Sequence, residues 1–372
     1  MLSSRSAPVL LAGSFVLFGL AGWALRLPLG LDSAVYRSGA LAVLRGEALY
    51  DHLTATPEWA VDLPFTYPPV AAVLFTPLAV LPTQLTWAVF AAATAFGVGV
   101  VLRWTTGRTP SPLLFAAVFG LEPVWRTVGY GQVNVLLMAV VVVDVLRQGR
   151  FSGVLVGIAA AVKLTPLVFV LHLLVTGRVR DAGRALAVFG GLQLLGFLLL
   201  PGDSLRYWGS AVLRGNDATG NGHLANQSIS GAVQRLTGAA PWAPLLVAAL
   251  CLGCVAAAAV LARRAHLRGE PLGALLVTAF CGLLVSPISW SHHWVWVVPL
   301  VAFLLRGPGA AQVPVWAVFV LWPLLVPTGN AVLDNLYVLV AVVGGVLAWR
   351  GLLSGGGVGS ARVDDLPGRW GG

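Results

Sequence analysis

Long apolar runs separated by short polar turns dominate the chain. None of these runs alternates apolar and polar positions as a transmembrane β-strand does, whereas a membrane-spanning helix needs about 20 mostly apolar residues. The pattern therefore predicts an all-α polytopic membrane protein with twelve transmembrane helices. The predicted spans cover residues 7–26, 83–102, 111–124, 132–146, 152–163, 164–176, 184–200, 242–262, 272–287, 292–306, 313–328 and 335–350.

The segment "YPPVAAVLFTPLAVLP", residues 67–82, is apolar but short, and prolines bracket and interrupt it. An apolar run of about 10–14 residues is more typical of an interfacial or re-entrant segment than of a span. If this segment does not cross and the amino terminus is cytoplasmic, fifteen of the 23 basic residues lie inside and nine of the 14 acidic residues lie outside. The positive-inside rule favours that arrangement, so we expect a half-helix at the outer leaflet and both termini inside.

This topology predicts one transmembrane domain over residues 1–350 and a disordered cytoplasmic tail over residues 351–372, which is rich in glycine and charge. Two long loops are expected on the outer face, residues 27–82 with the half-helix and residues 201–241. The inner loops are short and basic and contain no nucleotide-binding motif. We therefore expect a plasma-membrane protein whose chemistry faces the extracytoplasmic side and uses lipid-linked substrates.

The amino-acid composition narrows the class of protein further. The chain is 58% hydrophobic and 10% charged, against about 25% charged residues in soluble domains. The net charge of +9 comes from basic residues scattered over many short loops, which does not indicate nucleic-acid binding. Cys251, Cys254 and Cys281 fall in apolar runs without a second pair that could complete a zinc site, so no metal and no cofactor are expected.

The stretch "GLDSAVYRSG" places Asp32 where the first apolar run has just ended, with Tyr36 one helical turn later. An ionisable side chain at the membrane boundary is a functional candidate, although a solvated helix end is an alternative. An ionised carboxylate can accept a proton from a sugar hydroxyl, which accelerates transfer by roughly 10²–10⁴-fold. Asp51, Glu58 and Asp62 lie in the same loop and are alternative bases.

Lys163 is the only lysine of the chain and lies between apolar residues in "AAAVKLTPLVFVL". It either extends its amine along a helix end to water or meets a phosphate at the outer face. Arg126 and the pair His292 and His293, in "SWSHHWVW", are expected in the same layer. Adjacent helical residues point about 100° apart, so we do not expect the two histidines to share a metal ion.

Three amides complete the set of candidate residues. Gln132 and Asn134, in "GYGQVNVLL", begin a helix whose amino-terminal end points outward. Such an end attracts anions and offers amide groups to hydroxyls. Asn226 lies in "GNGHLANQSISG", which is either a flexible loop or a cap over a sugar.

Six segments resemble, in the same order, the signature blocks of glycosyltransferase family 87. The resemblance runs from about residue 30 to about residue 300. The segments are "DSAVYRSGALAVLRGEALYD", "LPFTYPPVAAVLFTPLAVLP", "GYGQVNVLLMAVVVVD", "AAAVKLTPLVFVLHLL", "LANQSISG" and "SPISWSHHWVWVVP". The family comprises actinobacterial polyprenyl-phosphate-mannose-dependent α-mannosyltransferases with the GT-C membrane fold, and the resemblance implies that fold here.

The resemblance also implies a reaction: inverting transfer of mannose from polyprenyl-phosphate-mannose to a glycolipid or lipoglycan, with an α-(1→2) linkage. It gives Asp32 the role of base. The residues implied at the donor phosphate are Lys163, His292, His293 and Arg126, and those implied at the sugar or acceptor are Tyr36, Arg37, Tyr67, Gln132, Asn134 and Asn226. The alternative is a transporter or flippase of a lipid-linked sugar, which would place ionisable residues near the bilayer midplane in repeated halves.

Overall fold

The computed structural model describes residues 6–61, 63–212, 222–238, 240–307, 312–320 and 327–353. Within these ranges the chain is helical and contains no β-strand. The α-helices are α1 (Ala7–Ala24), α2 (Leu31–Arg45), α3 (Pro69–Leu74), α4 (Thr83–Thr106), α5 (Pro112–Phe119), α6 (Glu122–Tyr130), α7 (Asn134–Arg147), α8 (Val154–Val162), α9 (Val168–Val175), α10 (Val179–Leu199), α11 (Pro201–Arg206), α12 (Ile229–Thr237), α13 (Ala243–Leu267), α14 (Pro271–Val285), α15 (Val297–Leu304), α16 (Val313–Val320) and α17 (Leu336–Leu353). Turns of 3-10 helix cover Thr76–Val80, Thr165–Leu167, Ser291–Trp296 and Leu333–Asn335, and a π-turn covers Tyr207–Ala211.

Several of these helices have the length and composition of membrane spans. Among the described residues, α1, α4, α10, α13 and the segment 333–351 qualify, which makes five. The pair α6 and α7, bent by 120°, would be a sixth if it counted as one span. The predicted class, an all-helical membrane protein, is confirmed by these helices, and the total of twelve spans stays a prediction.

Arginine side chains gather at one end of the helix bundle, where they bond to carbonyl groups in the last turns of three helices. A cation is favourable there because the carbonyl end of a helix carries a partial negative charge. We call this the arginine-rich end, and the opposite end, which carries the polar loops, the polar end. The bonds join Arg306 to Thr105 of α4 at 2.6 Å, Arg178 to Val145 of α7 at 2.8 Å and Arg263 to Val175 of α9 at 3.3 Å.

Helices α8 and α9 form a hairpin with Lys163 at its tip. Helix α8 runs parallel to α10, since a Cβ atom at Gly153 would overlap the carbonyl of Asp181. Further along, the amide of Gln193 donates to the carbonyl of Ala161 at 3.3 Å. Helix α9 returns to the arginine-rich end, where a short turn leads into α10. The hairpin therefore starts and ends at that end, and its tip points towards the polar end.

The hairpin covers the residues of two predicted spans, 152–163 and 164–176. Helix α8 has nine residues and α9 has eight, and at about 1.5 Å per residue each is less than half of a hydrocarbon core about 30 Å thick. The buried carboxylate of Asp144 fixes the start of α8, because it accepts the backbone N–H groups of Gly153 at 2.9 Å and Val156 at 2.8 Å. Hydropathy alone cannot separate two spans from two half-length helices.

Two other segments differ from the sequence-based expectation. The turn between the predicted spans 111–124 and 132–146 is replaced by α6, which has a proline in its first turn and ends where Gly131 adopts φ +68°. Glycine tolerates this left-handed backbone without strain. The last helix continues to Leu353, so the predicted tail starts later than expected, and its residues 354–372 lie outside the described residues, as does Asp62.

The first long loop folds back onto the polar end of the bundle. Helix α2 packs against α4 and the short helices of residues 69–80. Tyr36 lies at the centre of this contact, with its ring stacked on Phe75 at 4.9 Å between ring centroids and edge-on to Phe90 at 5.2 Å. The Nε atom of Arg37 donates to the carbonyl of Leu81 at 2.6 Å. Aromatic packing thus holds the start of α2 against the bundle.

Candidate active site

Two glycines bring the start of α2 against the end of α6. Gly30 and Gly131 adopt φ +74° and +68°, a conformation that L side chains rarely adopt. Both approach Ser33 closely, and a Cβ atom at Gly131 would lie 2.5 Å from its Oγ atom. Asp32 lies two residues after Gly30, and Gln132 directly follows Gly131. The close approach therefore puts a carboxylate beside an amide 100 residues away.

Hydrogen bonds orient the Asp32 carboxylate. The Nε2 atom of Gln132 donates to Asp32 Oδ2 at 2.5 Å, and the hydroxyl of Tyr36 donates to Gln132 Oε1 at 2.8 Å. Because the Tyr36 hydrogen is used in this way, the Tyr67 hydroxyl, 2.8 Å away, donates to the Tyr36 oxygen. The chain of bonds fixes which end of the Gln132 amide faces Asp32, and it leaves Asp32 Oδ1 available to a substrate.

Burial raises the pKa of Asp32 to about 6, although the hydrogen bond from Gln132 and the charge of Lys163 act in the opposite direction. Burial penalises the charged carboxylate, whereas a donor and a cation favour it. At neutral pH the carboxylate is still mostly ionised. A group with a pKa just below the working pH is suited to accept a proton in a reaction.

Lys163 supplies a cation on the side of the site opposite Asp32. The Nζ atom of Lys163, at the tip of the hairpin, lies 3.0 Å from Asn134 Oδ1 and 3.3 Å from His293 Nε2. It also lies 5.5 Å from the centroid of the Tyr67 ring. Since an ammonium group can only donate, His293 Nε2 accepts in this arrangement. The lysine is thus held by three side chains from separate parts of the chain.

His292 joins the two sides of the site. Its Nε2 atom lies 3.3 Å from Gln132 Nε2, and its ring meets that of His293 edge-on at 4.7 Å between centroids. Its backbone carbonyl accepts from Thr127 Oγ1 and from Asn134 Nδ2, each at 3.1 Å. The histidine segment, residues 291–296, is therefore fixed to both α6 and α7.

A cavity of about 60 Å³ opens beside Lys163 and His293. Its polar lining residues lie at helix ends and loops, and its apolar lining residues lie further along the same helices. The polar lining consists of Asn134, Lys163, Thr165, Ser286, Ser289 and His293. The apolar lining includes Leu137, Met138, Val141, Phe169, Leu283 and Trp296. The site thus combines a cationic mouth with a hydrocarbon-like interior.

Two of the candidates from the sequence, Arg126 and Arg37, lie at the edge of this cluster. The guanidinium of Arg126 bonds to Glu122 Oε1 at 2.8 Å and to Ser291 Oγ at 3.1 Å, beside the histidine segment. Arg37 ties α2 to the carbonyl of Leu81. These contacts stabilise the walls of the site.

Asn226 is fully buried beneath the histidine segment. Its amide donates to the carbonyl of Pro287 at 3.2 Å and accepts the N–H of Ser289 at 2.8 Å. Its backbone pairs with Trp290 in an isolated β-bridge. The structure thus places Asn226 in support of the loop before the histidines, where sequence reasoning expected a sugar contact.

Sequence reasoning missed Glu122, whose carboxylate is buried among three side chains. The only feature of the sequence that pointed to Glu122 was its distance of four residues from Arg126. This spacing places opposite charges on one face of a helix. Among the described residues, no group of three or more His, Cys, Asp or Glu side chains is placed to hold a metal ion.

The fold and the site define a polytopic membrane enzyme with one oriented carboxylate opposite a lysine and two histidines. The chain belongs to glycosyltransferase family 87, whose profile matches residues 65–287. It is therefore a glycosyltransferase, as the sequence resemblance predicted. The GT-C architecture remains what membership of this family implies.

Several relatives are similar over most of the chain. A polyprenol-phosphate-mannose-dependent alpha-(1-2)-phosphatidylinositol pentamannoside mannosyltransferase of Mycobacterium tuberculosis is 40% identical over 75% of this chain and 67% of its own length. A polyprenol-phosphate-mannose-dependent alpha-(1-2)-phosphatidylinositol mannoside mannosyltransferase of the same species is 40% identical over 78% and 74%. The corresponding phosphatidylinositol mannoside enzyme of Mycolicibacterium smegmatis is 38% identical over 79% and 75%.

One solved structure is also similar, ArnT from Cupriavidus metallidurans bound to undecaprenyl phosphate. The match covers 91% of this chain and 72% of that chain, with 17% sequence identity and a TM-score of 0.43.

Proposed function

We propose that the protein transfers mannose from polyprenyl-phosphate-mannose to a hydroxyl of a glycolipid or lipoglycan. The transfer takes place at the extracytoplasmic face of the plasma membrane, inverts the anomeric centre and forms an α-(1→2) linkage. One observation carries the proposal: the oriented Asp32 carboxylate interacts electrostatically with the Lys163 amine, and this amine lines a mostly apolar cavity. The activity in the names of the similar mycobacterial enzymes supports the same reaction.

The donor fits the two halves of the site by its chemistry. A polyprenyl phosphate joins an anionic head to a hydrocarbon chain. The amine of Lys163 and the imidazole of His293 lie at the polar lining and would face the phosphate, whereas the apolar lining would face the first part of the hydrocarbon chain. The mannose would then lie between Lys163 and Asp32, where Gln132 and Asn134 offer amide groups.

The reaction needs one base and no second carboxylate. Asp32 Oδ1 accepts the proton of the acceptor hydroxyl while that oxygen attacks the anomeric carbon. The bond between this carbon and the phosphate oxygen breaks, and its electron pair leaves with the polyprenyl phosphate. Cationic and donor groups, chiefly Lys163, stabilise the charge that develops there. A single displacement inverts the anomeric centre, so a β-linked donor gives an α-linked product.

The test is mannose transfer in membranes that contain the protein, with radiolabelled polyprenyl-phosphate-mannose and a phosphatidylinositol mannoside acceptor. Asp32→Asn keeps the size of the side chain but cannot act as a base, so we expect transfer to fall by at least about 10²-fold at matched expression. Digestion with a linkage-specific α-mannosidase identifies the bond that has been formed. Transfer by Asp32→Asn at the wild-type rate would refute the role of Asp32 as base.

The side of the membrane is tested with sealed vesicles of both orientations and an acceptor that does not cross the bilayer. We expect transfer only in vesicles whose extracytoplasmic face is accessible. Movement of the donor across the membrane without transfer to the acceptor would favour the transporter alternative and contradict the proposed function.

A further inference from the structure

Glu122 is a buried acid whose partners differ from those of the other buried acids. Among the described residues, Asp144 and Asp334 are also buried. Those two accept backbone N–H groups and so stabilise a helix start and a turn. Glu122 instead accepts from side chains on three separate elements. A carboxylate used in this way fixes elements relative to one another.

The three donors surround both oxygens of the Glu122 carboxylate. Oε1 accepts from the Ser291 hydroxyl at 2.7 Å and from the Arg126 guanidinium at 2.8 Å. Oε2 accepts from the Tyr337 hydroxyl at 2.9 Å. Ser291 and Tyr337 are fully buried, and Glu122 itself is 1% exposed. Loss of this buried acceptor would leave several donors without a partner, which is costly away from water.

The contact with Ser291 matters because this residue directly precedes His292 and His293. Helix α6 holds the histidine segment at two points, through Glu122 at Ser291 and through Thr127 at the carbonyl of His292. Arg126, also bonded to Ser291, lies 5.8 Å from the centroid of the Tyr130 ring, and that ring meets His292 edge-on at 5.3 Å. Movement of Ser291 would therefore shift both histidines.

We propose that Glu122 is a positioning residue for the donor side of the site. It holds Ser291 and Arg126 so that His293 stays against Lys163 and His292 stays against Gln132. It does not touch the reacting atoms, and it acts on the donor phosphate rather than on the acceptor proton. This assignment to the donor rests on the proposed function, whereas the effect on the histidine segment rests on the contacts alone.

The first test measures the histidine segment directly by hydrogen–deuterium exchange of the full chain in nanodiscs. Glu122→Gln keeps the shape of the side chain but removes the charge and one acceptor oxygen. We expect peptides that cover residues 286–296 to exchange at least about tenfold faster than in the wild type. Asp181→Asn is the matched control, because Asp181 also pairs with arginines but lies at the arginine-rich end. Unchanged exchange in Glu122→Gln would overturn the proposal whether or not the protein transfers mannose.

The second test separates donor from acceptor kinetics. A hydrogen bond to a charged group is typically strong enough that its loss reduces kcat/KM for the donor by roughly 10- to 100-fold. The KM for the acceptor should change by less than about twofold, and the midpoint of the acid limb of the pH profile should stay in place. If Glu122→Gln weakened the kinetic constants for donor and acceptor equally, its role would be merely structural and the proposal would be overturned.

If Glu122→Gln fails to fold, Ser291→Ala and Tyr337→Phe each remove one of its donors and carry the same test. We expect Ser291→Ala to reduce donor kcat/KM more than Tyr337→Phe does, because only Ser291 lies next to the histidines. If the order is reversed, Glu122 does not act through the histidine segment. A wild-type protein that binds polyprenyl phosphate but transfers no mannose would contradict the proposed function and leave the exchange test decisive for Glu122.

Discussion

Replacement of Gln132 by methionine should move the pH dependence of transfer to higher pH. Methionine matches glutamine in length but cannot donate the hydrogen bond that now reaches Asp32 Oδ2 at 2.5 Å. This bond favours the ionised carboxylate and opposes the burial that raises the pKa of Asp32 to about 6. Without the donor, burial acts with less opposition, so the pKa of Asp32 rises further.

The size of the effect follows from the strength of such a bond. A hydrogen bond to a charged group contributes about 1.5–3 kcal/mol, and about 1.36 kcal/mol corresponds to a tenfold change in a proton-binding constant. The midpoint of the acid limb should therefore move from about pH 6 to about pH 7–8. The base must be ionised to act, so activity is lost as the pH falls through the pKa of Asp32. At pH 7 the ionised fraction should fall from about nine tenths to between about one tenth and one half.

The assay is the pH profile of kcat/KM for mannose transfer, because this quantity reports the ionisation of the free enzyme. Gln84→Met is the matched control, since Gln84 is also a buried glutamine but donates to the carbonyl of Leu27, away from Asp32. The control should keep the wild-type midpoint. A profile of Gln132→Met that coincides with the wild type, or that moves to lower pH, would refute the reasoning. A wild-type midpoint near pH 4 would show that burial does not raise the pKa of the base.

Three further predictions follow from the contacts at the site. Gly131→Ala should lower the melting temperature and reduce transfer at least about tenfold, because the new Cβ atom would lie 2.5 Å from Ser33 Oγ at φ +68°. Gly129→Ala, which meets nothing within 4 Å, should change neither, and equal melting curves for the two variants would contradict this account. Lys163→Met should reduce donor kcat/KM by roughly 10²-fold in steady-state assays, through loss of the cation opposite the leaving phosphate, and a change in acceptor KM alone would argue against that role. Asp51→Asn should leave transfer within about twofold, whereas a large loss would make Asp51 a candidate base.

Much of the site could be predicted because its residue types stand out in an apolar chain. Three features differ in polarity from the residues around them. They are a carboxylate after the first span, one lysine between apolar residues and two adjacent histidines. The sequence predicted Asp32, Lys163 and His293 at the outer face, and the structure brings them together at the polar end. Hydropathy was also sufficient for the all-helical class, since five described helices are long and apolar enough to cross a membrane.

What could not be predicted depends on contacts between distant parts of the chain. The place of Gln132 between Asp32 and His292 requires residues separated by 100 and 160 positions to meet. Glu122 did not stand out in the sequence because its partners Ser291 and Tyr337 lie 169 and 215 positions away. A hydropathy window averages over neighbours along the chain, so it cannot show which polar residue is buried by such partners.

The position of Lys163 at the tip of the hairpin makes the site chemically addressable. No other residue of the chain carries an amine in its side chain. Reductive methylation with ¹³C-formaldehyde would therefore attach a label to one side chain, 3.0 Å from Asn134 Oδ1 and 3.3 Å from His293 Nε2. Its methyl resonance would report on donor binding in a protein of 372 residues without any substitution.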